Sequence, residues 1–93
     1  MAKKSTADAD IGNVAVLMDS VLEDTSVPRN IRKAVEEAKY KILDKNESLD
    51  VRVTTSIYKL DDISSDVNMP SHARTEIWQI ISELETIREK EKK

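Results

Sequence analysis

The chain has 93 residues, a net charge of −3, 35% charged residues, one glycine and no cysteine. A chain of this length forms one domain with a modest core. The absence of cysteine excludes disulfides and cysteine-ligated zinc, and the single glycine argues against β-hairpin folds and glycine-rich phosphate loops.

Apolar residues recur at helical spacing in four segments, and no segment shows the alternation of a half-buried strand. We predict helices over about 8–24, 28–45, 48–64 and 70–87. Proline opens the second and fourth, where its missing N–H costs nothing. The predicted core-facing seams are Ile11, Val14, Met18 and Val21; Ile31, Val35, Ala38 and Ile42; Leu49, Val53, Ile57 and Leu60; and Ala73, Ile77, Ile80, Leu84 and Ile87.

Three to six residues separate successive helices, which forces neighbours to run antiparallel. The predicted fold class is therefore all-α, an antiparallel up-and-down four-helix bundle. Residues 8–87 form its single domain, residues 1–7 a flexible N-terminal tail, and residues 88–93 a charged, fraying C-terminal tail.

The two halves of the chain are related by an internal repeat. Polar and proline matches in the repeat alignment are harder to obtain by chance than apolar ones; they are Asp19 with Asp61, Asp24 with Asp66, Pro28 with Pro70, and Arg32 with Arg74. Helices 1–2 and 3–4 are therefore interpreted as two copies of one helical hairpin. The distance in sequence between matched residues, for example from Asp19 to Asp61, also suits HEAT-type repeats. Two copies are too few for a stacked solenoid, however. A closed bundle is favoured, with a HEAT-like pair as the alternative.

The repeat also predicts two ion pairs at the bundle edge. Residues equidistant from a hairpin turn face each other, and on this basis Asp19 meets Arg32 and Asp61 meets Arg74. We expect these pairs to clamp the two turns, each contributing about 0–1 kcal/mol if exposed.

The sequence lacks the residues that general-base catalysis by histidine or metal binding by carboxylates would require. His72 is the only histidine, and a general base needs a partner nucleophile while a metal site needs several ligands at fixed spacing. The acidic residues follow neither the calcium-loop nor the di-iron spacing; they are Asp19, Asp24, Asp61, Asp62 and Asp66. We therefore expect no catalytic residue, metal or cofactor, no small-molecule ligand, and a protein that is not an enzyme.

One side of helix 2 is rich in basic residues and carries an aromatic ring opposite the core seam. The candidate basic surface consists of Arg29, Arg32, Lys33, Lys39, Tyr40 and Lys41. Such a set could contact phosphates and stack a base, which favours RNA. Glu36 and Glu37 interrupt this surface. Pairing of these two acids with the basic residues along a solvated helix is the simpler explanation. The simpler interpretation is preferred.

Apolar residues outside the seams widen the faces of helices 3 and 4. These are Val51 and Tyr58 on helix 3, and Trp78 and Ile81 on helix 4. Aromatic residues commonly anchor protein interfaces, so the four are a candidate protein interface. Core packing is the alternative.

Two runs of sequence resemble a known family. The runs at 27–39 (VPRNIRKAVEEAK) and 68–84 (NMPSHARTEIWQIISEL), with Val51-Arg-Val and Ile57-Tyr between them, resemble uncharacterised protein family 0147. The resemblance covers about residues 11–85. It implies a short archaeal, cytoplasmic helical-bundle protein without an assigned role, and it carries no catalytic residues.

Function is therefore expected to reside in a surface. The leading hypothesis is a non-enzymatic interaction or structural module that binds a protein, either another protein or a second copy in a homodimer. The alternative is an RNA- or ribosome-associated protein that uses helix 2. No stretch reaches the roughly 20 apolar residues that span a bilayer, and no apolar signal segment follows Lys3 and Lys4, so a cytoplasmic location is expected.

Overall fold

The computed structural model describes the backbone of residues 2–91 and the side chains of residues 9–90. It contains four helices: α1 (Ala2–Leu22), α2 (Arg29–Leu43), α3 (Leu49–Ile63) and α4 (Ser71–Glu91). The four predicted helices are confirmed. α1 begins six residues earlier than predicted and α4 continues to Glu91, so much of each predicted tail is helical backbone. Residues 1, 92 and 93 of those tails lie outside the described residues.

The helices pack as a closed ring. α1 contacts α2 and α4, and α3 contacts the same two helices, whereas between residues 2 and 91 the diagonal pairs do not meet. Asp24, just after α1, meets His72 at the start of α4, and Asp10 in the first half of α1 meets Lys90 near the end of α4. α1 and α4 are therefore antiparallel, and the fold is an up-and-down bundle rather than a HEAT-like stack.

The core follows the predicted seams closely. Every seam residue is buried except Leu49, which is half-buried against the core. Val27 and Met69 join the core from the first and third turns, one residue before each proline. Ser56 is buried as well, and its hydroxyl donates to the carbonyl of Ala38 at 3.0 Å. These two small residues let α2 and α3 approach closely, and the hydrogen bond satisfies the buried hydroxyl.

Three turns join the helices, and all three are built in the same way. Turn 1 (24–28), turn 2 (44–48) and turn 3 (66–70) each begin with an aspartate, and the next helix starts five residues later. Oδ1 of each aspartate accepts the backbone N–H two residues on, in the pairs Asp24–Ser26 at 2.9 Å, Asp44–Asn46 at 2.9 Å and Asp66–Asn68 at 2.8 Å. No described residue has positive φ, so these aspartate turns take the place of glycine caps.

An arginine eight residues after each aspartate ties the following helix to the turn or, at turn 2, to the end of the preceding helix. Arg32 Nε donates to the carbonyl of Val27 at 3.1 Å, and Arg74 Nη2 donates to that of Asp66 at 2.8 Å. Arg52 donates twice to the carbonyl of Ile42, from Nε at 3.0 Å and Nη2 at 2.6 Å. The shared pattern is Asp-x-(Ser/Asn)-x-(Pro/Ser)-x-x-x-Arg, which the repeat alignment misses at turn 2.

The two ion pairs predicted from the repeat do not form. Asp19 pairs with Lys39 instead, and within residues 9–90 Asp61 takes part in no salt bridge. Arg32 and Arg74 bind turn carbonyls, as described above. Helical side chains lean toward the N-terminus of their helix, which in α2 and α4 is the turn end. The lean carries Arg32 past the level of Asp19 and brings the more distant Lys39 within reach.

None of the described helices is long and apolar enough to cross a membrane.

Candidate functional site

A polar cluster joins the two hairpins at the end of the bundle that holds turns 1 and 3. Oδ2 of Asp24 lies 2.7 Å from His72 Nε2, and Oδ2 of Asp66 accepts the side-chain amide of Asn30 at 3.1 Å. Asn30 and His72 occupy equivalent positions in the two copies of the repeat, as do the two aspartates, so the contacts are related by the repeat. Each carboxylate thus fixes its own turn through Oδ1 and the other hairpin through Oδ2.

Hydrogen bonding to these carboxylates favours their charged form. The Ser26 hydroxyl, the His72 ring and the Ser26 backbone N–H lower the pKa of Asp24 to about 2. The Asn68 backbone N–H and the Asn30 side chain lower the pKa of Asp66. Both aspartates are therefore ionised in the folded protein at neutral pH.

The cluster contains serine, histidine and aspartate but lacks the geometry of a catalytic triad. In a triad the serine and the carboxylate occupy opposite nitrogens of the imidazole. Here Ser26 Oγ and Asp24 Oδ2 both contact Nε2 of His72, at 3.3 and 2.7 Å, and the Ser26 hydroxyl donates to Asp24 Oδ1 at 2.6 Å. The imidazole therefore cannot accept a serine proton at one nitrogen while the carboxylate holds the other. Among the described residues, no group of three or more potential metal ligands comes together.

The predicted basic surface of α2 is divided by contacts within the protein. Lys39 pairs with Asp19, Lys41 lies 3.7 Å from Glu47, and Arg32 binds a turn carbonyl. Arg29 and Lys33 remain exposed on the outer side of the helix. Tyr40 is 67% exposed, as expected for a residue opposite the core seam.

A surface groove lies between α1 and α2 beside turn 1. It has a volume of about 500 Å³ and is lined by Leu22, Arg29, Arg32, Lys33 and Glu36. Three of the six residues in the predicted basic surface thus share one concavity with a leucine from α1. The sequence pattern did not indicate this groove, because Leu22 belongs to a different helix.

Three of the four predicted interface residues are exposed on α3 and α4. Tyr58 is 69% exposed, Trp78 49% and Val51 41%. The prediction that Ile81 belongs to this interface is wrong, because its side chain is only 4% exposed and belongs to the core. α4 packs against both α1 and α3, so its buried arc is wide enough to include the residue next to Ile80.

The two exposed aromatic residues lie on the outer side of the α3–α4 hairpin. His72 and Lys90 mark the side of α4 that faces α1, and at 100° per residue Trp78 lies on the other side, toward α3. Lys59 marks the side of α3 that faces α2, and Tyr58 lies outward and away from it. Tyr58 is five residues before the end of α3 and Trp78 seven after the start of α4, so both sit at a similar height.

Acidic residues lie on the same side of the α3–α4 hairpin as this aromatic pair. Five exposed carboxylates fall on the outer and mutually facing sides of α3 and α4, namely Asp50, Asp61, Asp62, Glu85 and Glu89. Arg74 and Arg88 are the arginines nearest this side, and within residues 9–90 neither forms a salt bridge with these carboxylates. We call Val51, Tyr58, Trp78 and these five carboxylates the acidic aromatic face.

Other exposed apolar residues are scattered. Val16 on α1, Leu43 on α2 and Val67 in turn 3 are 66%, 42% and 89% exposed, and the sequence pattern singled out none of them. Isolated apolar side chains of this kind are normal on protein surfaces.

Together, the fold and its contacts define a small antiparallel four-helix bundle. Residues 1–87 match the profile of an uncharacterised protein family, UPF0147, and the chain belongs to that family, as the resemblance in its sequence predicts.

Relatives with the same family name occur in archaea. A UPF0147 protein of Methanocaldococcus jannaschii is 47% identical over 87 residues, which is 94% of each chain. One from Methanothermobacter thermautotrophicus is 50% identical over 82% of this chain and 74% of its own. A crystal structure of a UPF0147 protein from Thermoplasma acidophilum superposes with a TM-score of 0.82 at 40% identity, over 88% of this chain and 98% of the other.

Proposed function

We propose that the protein is a non-enzymatic interaction module and that its acidic aromatic face binds a partner protein. The observation that carries the proposal is the pair of exposed aromatic residues, Tyr58 and Trp78, on adjacent helices at one height. Tryptophan and tyrosine dominate the energetics of protein interfaces because each buries a large, rigid surface.

The surroundings of the pair indicate the chemistry of the partner. Five carboxylates on the same side of the hairpin as two aromatic rings favour a partner that presents lysine or arginine next to an apolar side chain. The cations would pair with the carboxylates and stack on the ring faces of Tyr58 and Trp78. The same carboxylates would repel nucleic acid, so the partner at this face is a protein. A second copy of the chain qualifies only if its basic α2 docks there.

An interaction role also agrees with what the polar residues do. The described histidine, the turn aspartates and the turn arginines are occupied with joining helices and turns. A general base or nucleophile must instead face a site where substrate can bind. The remaining distinctive residues are surface aromatics, which supports binding rather than chemistry.

A pair of matched tyrosine substitutions tests the proposal. Tyr58→Ser changes the acidic aromatic face, whereas Tyr40→Ser changes an equally exposed tyrosine on α2 (67% against 69%). Proteins retained by the wild-type chain from an extract of its native cells are identified by mass spectrometry, and the affinity of each is measured by titration. We expect Tyr58→Ser to weaken a specific partner by about thirtyfold, as loss of an interface anchor does, and Tyr40→Ser to leave it unchanged.

Sedimentation velocity of the purified chain completes the test. Self-association that Tyr58→Ser abolishes identifies a second copy as the partner. Equal binding by the two serine variants, with circular dichroism showing both folded, would remove the acidic aromatic face from consideration. A loss seen only with Tyr40→Ser would transfer the interaction to α2.

A further inference from the structure

We propose that the groove between α1 and α2 binds a phosphoryl group. The groove lies on a different hairpin from the acidic aromatic face, so this site goes beyond the proposed function. It brings Arg29, Arg32 and Lys33 together around the side chain of Leu22, with Glu36 as its one acidic lining residue. The charge of the lining side chains is therefore positive, in a chain whose net charge is −3.

The arginine in this groove is already held in place. Arg32 is half-buried, and its Nε donates to the Val27 carbonyl at 3.1 Å. That bond orients the guanidinium, and its two terminal nitrogens make no hydrogen bond to other described residues, so both remain as donors. A planar, oriented guanidinium suits the bidentate binding of phosphate oxygens and loses little entropy when it binds.

The other two cations are available. Arg29 is exposed and, within residues 9–90, takes part in no salt bridge. Lys33 has 72% of its side chain exposed, and its Nζ is 3.8 Å from Glu37, at the far limit of an ion pair along the helix. An exposed pair of this kind contributes little, so a phosphate can draw Lys33 away from it.

The second hairpin shows that the helical frame does not require these cations. The repeat alignment places Ser64, Ser71, Arg74, Thr75 and Trp78 where the groove lining has Leu22, Arg29, Arg32, Lys33 and Glu36. Only the arginine that holds the turn occurs in both hairpins. Arg29 and Lys33 are therefore additions to the first hairpin, and the contacts that hold the turns do not explain them.

The surroundings of the groove suggest two sources for the phosphoryl group. The groove is open to solvent, so a free nucleotide can place its phosphate there. Tyr40 lies seven residues beyond Lys33 on the outer side of α2, about 10 Å along the helix, and is exposed. An RNA strand with one phosphate in the groove could also stack a base on Tyr40, whereas a single nucleotide bound in the groove would not depend on it.

The test is an NMR titration of the full ¹⁵N-labelled chain with inorganic phosphate, adenosine monophosphate and hexauridylate at low and moderate salt. We expect the largest shifts at the amides of the groove residues. The double variant Arg29→Gln/Lys33→Gln should bind about tenfold more weakly or worse, since two charge-assisted contacts are lost. Glu36→Gln should bind more tightly, because it removes the acidic lining residue.

Lys45→Gln is the matched control, because Lys45 is an exposed lysine in turn 2 at the opposite end of the bundle. At moderate salt it should change affinity less than about twofold, because the Debye length is then about 10 Å and Lys45 lies just beyond the far end of α2. Equal weakening by Lys45→Gln and the double variant, or no groove shifts with any of the three probes, overturns the proposal. Arg32 is left unchanged because it also holds turn 1.

Tyr40→Ser distinguishes the two sources once the groove shifts are established. Weaker binding of hexauridylate with unchanged binding of adenosine monophosphate supports an RNA strand as the source. If Tyr40→Ser binds both probes as tightly as the wild type does, the result supports a free phosphorylated ligand.

Discussion

The two hairpins of the bundle share a frame but differ in surface. Turns 1 and 3 use the same aspartate, the same proline and the same arginine at equivalent positions of the repeat. The side chains that cross between hairpins, Asn30 and His72, are likewise equivalent, and both bind a turn aspartate. In contrast, the outer sides carry a basic groove on the first hairpin and an acidic aromatic face on the second.

This difference separates the residues that hold the bundle together from those that give it distinct surfaces. Glu36 and Trp78 occupy equivalent positions, as do Val16 and Tyr58, and in each pair the backbone role is the same. Only the exposed chemistry changes. A molecule built from two similar hairpins thereby presents two unlike faces, and the frame can be tested apart from either of them.

The largest effect is expected from the turn arginines. Arg32→Met and Arg74→Met should each lower the free energy of unfolding by about 1–2 kcal/mol, because each loses a charge-assisted bond to a half-buried turn carbonyl. Arg29→Met, at an exposed position, should stay within about 0.5 kcal/mol of wild type. Urea denaturation followed by circular dichroism measures all three. Equal stability of the three variants would mean that the arginines do not hold the turns.

A smaller effect in the opposite direction is expected at Gly12. This glycine lies in the middle of α1, and an added Cβ would meet no atom within 4 Å. Gly12→Ala should therefore raise the free energy of unfolding by about 0.5–1 kcal/mol. The equivalent position in the second hairpin is Thr54, where the reverse change, Thr54→Gly, should destabilise. Thermal denaturation of the two variants checks both signs, and a destabilising Gly12→Ala would show that α1 needs the glycine.

The smallest effect is expected from acid titration of the turn aspartates, since both lie at the surface and are only half-buried. The folded pKa of Asp24, about 2, lies below the ordinary value of 3.8, so ionised Asp24 stabilises the fold above about pH 4. That contribution is lost as the pH falls from 4 toward 2. Asp66 has a lowered pKa and should act in the same direction.

Asp24→Asn should therefore reduce stability at pH 7 and flatten the decline between pH 4 and pH 2. Urea midpoints measured across that range, with the exposed Asp62→Asn as control, test this expectation. A decline as steep in Asp24→Asn as in the wild type would assign the acid sensitivity to other carboxylates.

The sequence alone determined the fold class, the four helices, the seams and the family. Helical periodicity reports which side of each helix is apolar, and that information is local. It also contained the turn pattern of aspartate and arginine eight residues apart, including the copy at turn 2 that the repeat alignment passes over. Tyr40 could be identified as exposed for the same reason, because it lies opposite its seam, whereas the pattern left core packing open for Tyr58 and Trp78.

Only the tertiary structure decided which side chains meet. Asp19 binds Lys39 rather than Arg32, because the lean of α2 side chains toward the turn displaces them from the level of their own Cα atoms. Ile81 is buried because α4 has neighbours on both sides. The groove needs Leu22 from α1 beside three cations of α2, and no pattern within one helix indicates which residues of another will lie next to it.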